Sequence, residues 1–248
     1  MKKRLSPLCL FLVLGSVLFA QQTTPNGWIY NTLKTGNGPT LSTNNGALTH
    51  NELVDADGRK LVSTYQIGVP DYQLISELSP AFQQAFSVMQ EGGKYRFIIP
   101  VEDFREAMRS ASKIPLPGDE VVWVMELIEV LPPLPDGARM IKEELKNSGT
   151  AAAYARFNSL LESQTAYLGE WEVNQIGYLF LNSGMTEEAI KVLQYNTKQH
   201  PQSGNAFDSL AEAHYKAGNT EQAVECYRRS LSLNPDNDNA RAMLSKLE

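Results

Sequence analysis

The chain has 248 residues, of which 42% are hydrophobic and 20% are charged, a composition typical of globular proteins rather than of disordered or ordinary membrane proteins. This length is enough for one or two domains. The formal net charge of −6 argues against sequence-independent nucleic-acid binding, which depends on neutralising phosphates with Lys and Arg. We therefore expect no nucleic acid among its partners.

The first residues have the pattern of a signal peptide. Basic residues at positions 2–4 precede an apolar run at 8–20 that is too short to span a bilayer. We expect cleavage after Ala20, which would remove residues 1–20 and give an exported protein, periplasmic or secreted, without a stable membrane anchor. Only Cys226 would remain in the mature chain, so an intramolecular disulfide is excluded.

Residues 27–131 combine strand patterns with turn residues. Alternating polarity predicts a strand at 47–54, and the Asp- and Gly-containing sequence at 55–58 predicts a turn after it. Residues 101–112 are predicted as a loop or a partly helical excursion. The segment 120–130 is nearly continuously apolar, which is typical of a central strand covered on much of both faces.

Between these strands, a helix is predicted to run directly into another strand. Apolar residues recur at helical spacing from Phe82 to Met89, and Ser79 is the predicted N-cap. The glycines at 92–93 are predicted to end this helix in a left-handed conformation. Residues 94–100 then alternate between aromatic or aliphatic and basic side chains, as in a strand. The helix and the strand are therefore expected to share one core.

The sequence from Gly92 to Pro100 reads Gly-Gly-Lys-Tyr-Arg-Phe-Ile-Ile-Pro. It resembles the G-S-K-W-R-x-x-I-P segment of the FKBP-type peptidyl-prolyl isomerases. The resemblance implies an α+β FKBP-like half-barrel with one packed helix, and a groove between helix and sheet that binds proline-containing polypeptides. It implies no cofactor.

The same resemblance assigns an apolar proline pocket on residues spread along the chain. The matching positions are Phe82, Trp123, Leu61, Leu78 and Ile114. An isomerase of this kind needs no nucleophile, because an apolar aromatic pocket can favour the twisted, less conjugated imide over the planar one.

The polar positions around this pocket depart from the family. Val62 stands where the family has a carboxylate, while Asn51 and Arg105 stand where it has tyrosines. Leu78-Ser79 replaces a Val-Ile pair whose second residue lines the pocket in the family. Two functions therefore stay open: an exported prolyl isomerase that assists protein folding, or a catalytically silent FKBP-like chaperone or scaffold.

Residues 132–138 are rich in proline and predict a stiff linker to a helical domain at 139–248. Two stretches, 170–203 and 204–237, repeat each other at a spacing of 34 residues, and 238–248 reads as a capping helix. The shared positions include a glycine at 184 and 218, an alanine at 189 and 223, and a proline at 201 and 235. These stretches resemble tetratricopeptide repeats, which implies an all-α tetratricopeptide-repeat solenoid.

The first helices of the two repeats are expected to bind an unidentified protein partner. The residues predicted to form this surface are Trp171, Asn174, Tyr178, Tyr215 and Lys216. No metal site is predicted, because the histidines at 50, 200 and 214 have no metal-ligand spacing.

Overall fold

The computed structural model describes residues 20–108 and 116–248. Most of the predicted signal peptide, and the predicted pocket residue Ile114, lie outside the described residues. Within the described part of the chain, no helix is both long and apolar enough to cross a membrane.

The first half of the molecule is one antiparallel sheet. Its strands are β1 (Gln22–Thr23), β2 (Ile29–Lys34), β3 (Gly46–Val54), β4 (Lys60–Ser63), β5 (Asp71–Leu74), β6 (Lys94–Pro100) and β7 (Glu120–Leu131). The order across the sheet is β1-β2-β6-β7-β3-β4, with β5 paired to the first part of β3. The central position predicted for β7 is confirmed, since it pairs with β6 on one side and β3 on the other.

The helical segments of this half are short. They are α1 (Thr64–Ile67), a 3-10 turn (Ile75–Glu77), α2 (Pro80–Phe86) and α3 (Val101–Ala107). Residues 101–107 thus form a helix, as the partly helical alternative predicted.

Helix α2 is shorter than the sequence predicts. It ends at Phe86 rather than running on to Met89, because the chain turns away to pair with another segment: the carbonyl of Met89 accepts a hydrogen bond of 2.9 Å from the amide of Leu41. The left-handed Gly92, with a φ of 80°, therefore shapes the turn into β6 and not the end of the helix. Ser79 does hold the N-cap position, but its hydroxyl makes no capping hydrogen bond.

The core of the first half lies between α2, α3 and one face of the sheet. In β6 the buried side chains are Tyr95, Phe97 and Ile99, the alternation that the sequence predicts. In β7 only one face is fully buried; on the other, Ile128 is 39% exposed. The sequence expectation that β7 is covered on much of both faces is thus only partly met.

The second half consists of helices stacked in sequence order. They are α4 (Gly137–Ser148), α5 (Thr150–Ser163), α6 (Glu170–Asn182), α7 (Thr186–Gln199), α8 (Gly204–Lys216), α9 (Thr220–Leu233) and α10 (Asp238–Leu247). Helices α6 and α7 form the first predicted repeat, and α8 and α9 form the second. At Gly177 a Cβ atom would lie 2.5 Å from Cδ2 of Leu193, so glycine is what allows α6 to approach α7.

The two halves touch through a small group of aromatic and polar residues. The rings of Tyr72 and Tyr167 stack with centroids 3.9 Å apart, and the Tyr72 hydroxyl donates a hydrogen bond of 2.6 Å to the carbonyl of Leu134. Arg139 forms an ion pair with Glu77 next to them. The large buried apolar residues, in contrast, fall into separate groups within the sheet half and within the helical half.

Candidate functional site

A groove of about 710 Å³ opens between α2 and the sheet. Its apolar lining includes Leu53, Leu78, Phe82, Phe86, Phe104, Met108 and Trp123, and its polar lining includes Asn51, Asp71, Gln73, Glu77 and Ser79. This volume is in the range of ligand pockets in proteins, which are mostly apolar with a few placed polar groups.

Aromatic rings meet edge to face at the floor of the groove. The centroid of the Trp123 ring lies 5.1 Å from Phe82, 5.7 Å from Phe86 and 5.9 Å from Phe104, in each case close to perpendicular. Such pairs are worth about 0.5–1.5 kcal/mol each beyond the area that they bury. The floor is therefore a rigid aromatic surface.

The structure brings together three of the predicted pocket residues. Phe82, Leu78 and Trp123 all line the groove. Leu61 lies in β4 and packs against the same core, but it is not among the residues that line the groove. Phe104 and Met108 line it although the sequence analysis did not select them.

Helix periodicity explains why α3 contributes Phe104 and not Arg105. Phe104 is buried, and Ala107 and Met108 follow it at the spacing that places side chains on the same face. Arg105 instead lines a separate depression beside Asp55 and Asp57. Arg105 is therefore not among the residues that line the groove.

Val62 and Asn51, two more of the departures from the family, both line the groove. Val62 is 46% exposed and lines the groove, so an aliphatic side chain occupies the mouth. Asn51 also lines the groove, and its backbone amide donates a hydrogen bond of 2.8 Å to the Thr64 hydroxyl.

Asp71 brings a carboxylate to the groove from another strand. Burial raises the pKa of this carboxyl, a hydrogen bond from Gln73 lowers it, and the nearby charge of Asp136 raises it. The amide nitrogen of Gln73 lies 3.3 Å from the carboxylate oxygen. No sequence pattern indicated Asp71, because β5 is a strand of only four residues.

The residues predicted on the repeat surface separate into two places. Trp171, Asn174 and Tyr178 share a hollow of about 620 Å³ between α4, α6 and α8. The Tyr178 hydroxyl donates a hydrogen bond of 2.8 Å to Glu212 across to α8, and burial raises the pKa of Tyr178.

Tyr215 and Lys216 lie further along α8 and do not line that hollow. Lys216 pairs with Glu212 at 3.3 Å, and Lys246 of α10 donates a hydrogen bond of 2.8 Å to the Tyr215 hydroxyl. The capping helix thus takes up part of the surface that the sequence assigned to a partner.

His50 and Cys226, two further candidates for chemistry, are packed among other side chains. In the described ranges no group of three or more His, Cys, Asp or Glu side chains could hold a metal ion. His50 stacks on Tyr65 at 4.7 Å, and burial lowers its pKa. Burial also raises the pKa of the Cys226 thiol to about 11, which favours the protonated thiol over the nucleophilic thiolate at neutral pH.

Comparison with known proteins gives a direct match for the helical half. A family model for the tetratricopeptide repeat matches residues 209–237. The match covers the second part of α8 and all of α9. Over 100 residues, or 40% of this chain, it is also 26% identical to Superkiller complex protein 3 of Mus musculus, of whose length the match covers only 6%.

Solved structures similar to this chain include three with TM-scores of 0.38 to 0.40. FkpA from Escherichia coli is 21% identical, with 46% of this chain and 52% of that chain covered, at a TM-score of 0.39. A peptidyl-prolyl cis-trans isomerase from Pseudomonas syringae pv. tomato is 22% identical, with 45% and 80% covered, at 0.38. A multi-domain immunophilin from Arabidopsis thaliana is 12% identical, with 87% and 98% covered, at 0.40.

The fold itself has the layout that the segment 92–100 led us to expect. An antiparallel sheet carries one helix, α2, across its face, and the repeat helices follow. The architecture is an antiparallel sheet domain with one helix packed across its face, followed by a solenoid of helical repeats.

Proposed function

We propose that this protein is an exported peptidyl-prolyl cis-trans isomerase that assists protein folding and binds a protein partner through its helical repeats. The observation that carries the proposal is the aromatic floor of the groove, where Trp123, Phe82 and Phe104 meet beneath α2. Export rests on the signal-peptide pattern of residues 1–20 alone.

The proposed chemistry is conformational. Rotation about an X–Pro bond must cross a barrier of about 18–20 kcal/mol that amide resonance maintains. In the twisted state this resonance is lost, and the imide becomes less polar. A groove walled by Phe82, Phe104 and Trp123 excludes water and favours that state over the planar ones. Each 1.4 kcal/mol of such preference accelerates isomerisation by about tenfold.

A second function is favoured by one specific observation. Val62 places an aliphatic side chain at the exposed mouth of the groove, where the isomerase family has a carboxylate. A groove without that group could bind proline-containing segments and hold them without accelerating their isomerisation. The protein would then be a chaperone or scaffold.

Rates on a proline tetrapeptide separate the two functions. Residues 21–248 are assayed by protease-coupled isomerisation, beside Phe82→Leu in the groove and Phe180→Leu in the repeats. Both variants truncate a buried ring, with exposures of 3% and 0%, but only Phe82 lines the groove. An isomerase predicts a fall in kcat/KM for Phe82→Leu alone. Peptide binding without any catalysed rate would establish the scaffold function instead.

Export has its own test. N-terminal sequencing of the protein recovered outside the cytoplasm is expected to begin at Gln21. An intact N-terminus on protein recovered from the cytoplasm would contradict export, with no consequence for the groove.

A further inference from the structure

The groove contains polar atoms that lack a partner within the protein. In the part of the chain that the structure describes, four buried side-chain polar atoms make no hydrogen bond: Ser79 Oγ, Trp123 Nε1, Asn174 Oδ1 and Asn196 Oδ1. Two of the four belong to residues that line the groove. Buried polar groups in native proteins are nearly always paired, so this coincidence calls for an explanation.

The indole of Trp123 is the stronger case. The residue is 8% exposed, and the rings of Phe82, Phe86 and Phe104 surround it. An indole nitrogen can only donate a hydrogen bond, and aromatic rings offer it no conventional acceptor. A phenylalanine here would fill much of the same space without burying an unpaired donor.

Trp28 shows how the same core pairs an indole when it has only a structural task. Its Nε1 donates a hydrogen bond of 2.9 Å to Asp103, and its ring packs against Phe82 at 5.4 Å. The two tryptophans thus share a neighbour but differ in whether the N–H is satisfied. The difference indicates that the partner of Trp123 arrives with a ligand.

Ser79, which lines the same groove, carries a second polar atom without a partner. It occupies the N-cap position of α2, where a serine hydroxyl normally accepts a hydrogen bond from the first turn, but it makes no such bond. Its Oγ is buried without a partner, and a hydroxyl can donate a hydrogen bond.

We infer that the groove binds a polypeptide by donating hydrogen bonds from Trp123 Nε1 and Ser79 Oγ to a backbone carbonyl beside the bound proline. Proline suits such a site because it carries a carbonyl but no N–H, so it brings an acceptor and no donor into the aromatic floor. This inference rests on the proposed function and places its polar contacts at the floor of the groove, away from the altered mouth at Val62.

The inference predicts opposite effects on stability and on binding. Trp123→Phe removes an unsatisfied N–H, so the melting temperature of the free protein should stay level or rise. Affinity for acetyl-Ala-Leu-Pro-Phe-amide should fall by about two- to tenfold, the value of one neutral hydrogen bond. Ser79→Ala should likewise weaken peptide binding without lowering the melting temperature, since the Ser79 hydroxyl makes no capping hydrogen bond. Trp28→Phe breaks a satisfied bond and should lower the melting temperature.

An observation on the unaltered protein makes the test independent of variants. The chain has three tryptophans, so the indole N–H signals can be assigned in an NMR spectrum. Adding the tetrapeptide should move the Trp123 signal downfield and slow its exchange with solvent, while the signals of Trp28 and Trp171 stay in place.

The outcomes distinguish this inference from the proposed function. Weakened binding by the variants, in a protein that does not catalyse isomerisation, would support the donor pair and overturn the isomerase. Catalysis by wild type with unchanged peptide affinity in folded Trp123→Phe, and an unmoved indole signal, would overturn the donor pair and leave the isomerase. A wild type that binds no proline peptide would overturn both.

Discussion

The sheet half and the helical half of this molecule fill their interiors with different kinds of side chain. Around α2 the core consists of large rings, whereas the repeats bury many alanines with almost no exposure. The fully buried alanines of the helical half are Ala153, Ala189, Ala206, Ala211, Ala213, Ala223 and Ala240. Rigid rings do not fill all the space beneath α2, so a groove remains there. The small residues of the repeats let the helices approach closely, so the hollows of that half lie between helices at the surface.

The largest expected effect comes from removing one ring in each half. Phe82→Ala and Phe180→Ala should each cost about 3–5 kcal/mol of unfolding free energy, because truncating a buried aromatic leaves a cavity. Only Phe82→Ala should also weaken proline-peptide binding, since Phe82 lines the groove. Urea denaturation gives the first quantity and peptide titration the second.

Val62→Ala is the matched control, because Val62 lines the groove but is 46% exposed. It should leave the unfolding free energy nearly unchanged. Equal losses of binding in Phe82→Ala and Phe180→Ala would mean that the two cores are not distinct in function.

Much of this contrast could be predicted from the sequence, for a physical reason. The 34-residue spacing of glycine, alanine and proline is a local pattern, and each repeat packs only on its neighbours. The alternating polarity of β6 is also a local pattern, and it predicts that strand. The positions of Asp71 and Phe104 at the groove could not be predicted in this way, because they depend on how β5 and α3 pack in the folded protein.

The expected length of α2 failed for the same reason. The apolar spacing does continue to Met89, and Met89 is fully buried. A tertiary hydrogen bond to Leu41 takes the chain out of the helix before that point. Likewise, Ser79 has the residue type and position of a cap, but only its surroundings show that its hydroxyl is unpaired.

A second prediction concerns the boundary between the halves. Glu172, in the first turn of α6, is 2% exposed, and burial raises its pKa to about 8. Hydrogen bonds from the amides of Glu172 and Gly169 oppose the shift, while Asp136 and Asp71 add to it. The folded state therefore binds a proton that the unfolded state releases at lower pH.

The sign of the pH dependence follows. Between the ordinary pKa of 4.5 and about 8, the folded protein holds more protons than the unfolded chain, so stability is greatest at the acid end and falls as pH rises. The slope can reach about 1.4 kcal/mol per pH unit. Glu172→Gln should flatten it in urea denaturation between pH 5 and about pH 8. A variant with the wild-type slope would assign the titration to another group.

A third prediction tests how tightly the alanines of the repeats are packed. Ala223 is fully buried between helices, so Ala223→Leu should overfill the contact and cost about 1–3 kcal/mol. Ala151→Leu, at an exposed position of α5, should cost almost nothing. Thermal unfolding compares the two variants. If Ala223→Leu is tolerated as well as Ala151→Leu, the helices around Ala223 are not closely packed.

The smallest loss of stability is expected from a change at Tyr72, where the sheet half contacts the helical half. Tyr72→Phe keeps the stacked ring against Tyr167 but removes the hydroxyl that donates to Leu134. One net hydrogen bond is worth about 0.5–1.5 kcal/mol. Tyr72→Ala removes the stack as well and should cost more.

The unfolding curves of these variants also show whether the two halves unfold together. If the ring stack couples the halves, Tyr72→Ala should separate one unfolding transition into two. With Trp171 replaced by Phe, tryptophan fluorescence reports on the sheet half alone, and far-ultraviolet circular dichroism reports on the helices. Tyr72→Phe should keep a single transition at a slightly lower midpoint. Two transitions already in the wild type would show that the aromatic contact at Tyr72 and Tyr167 joins the domains without making them fold together.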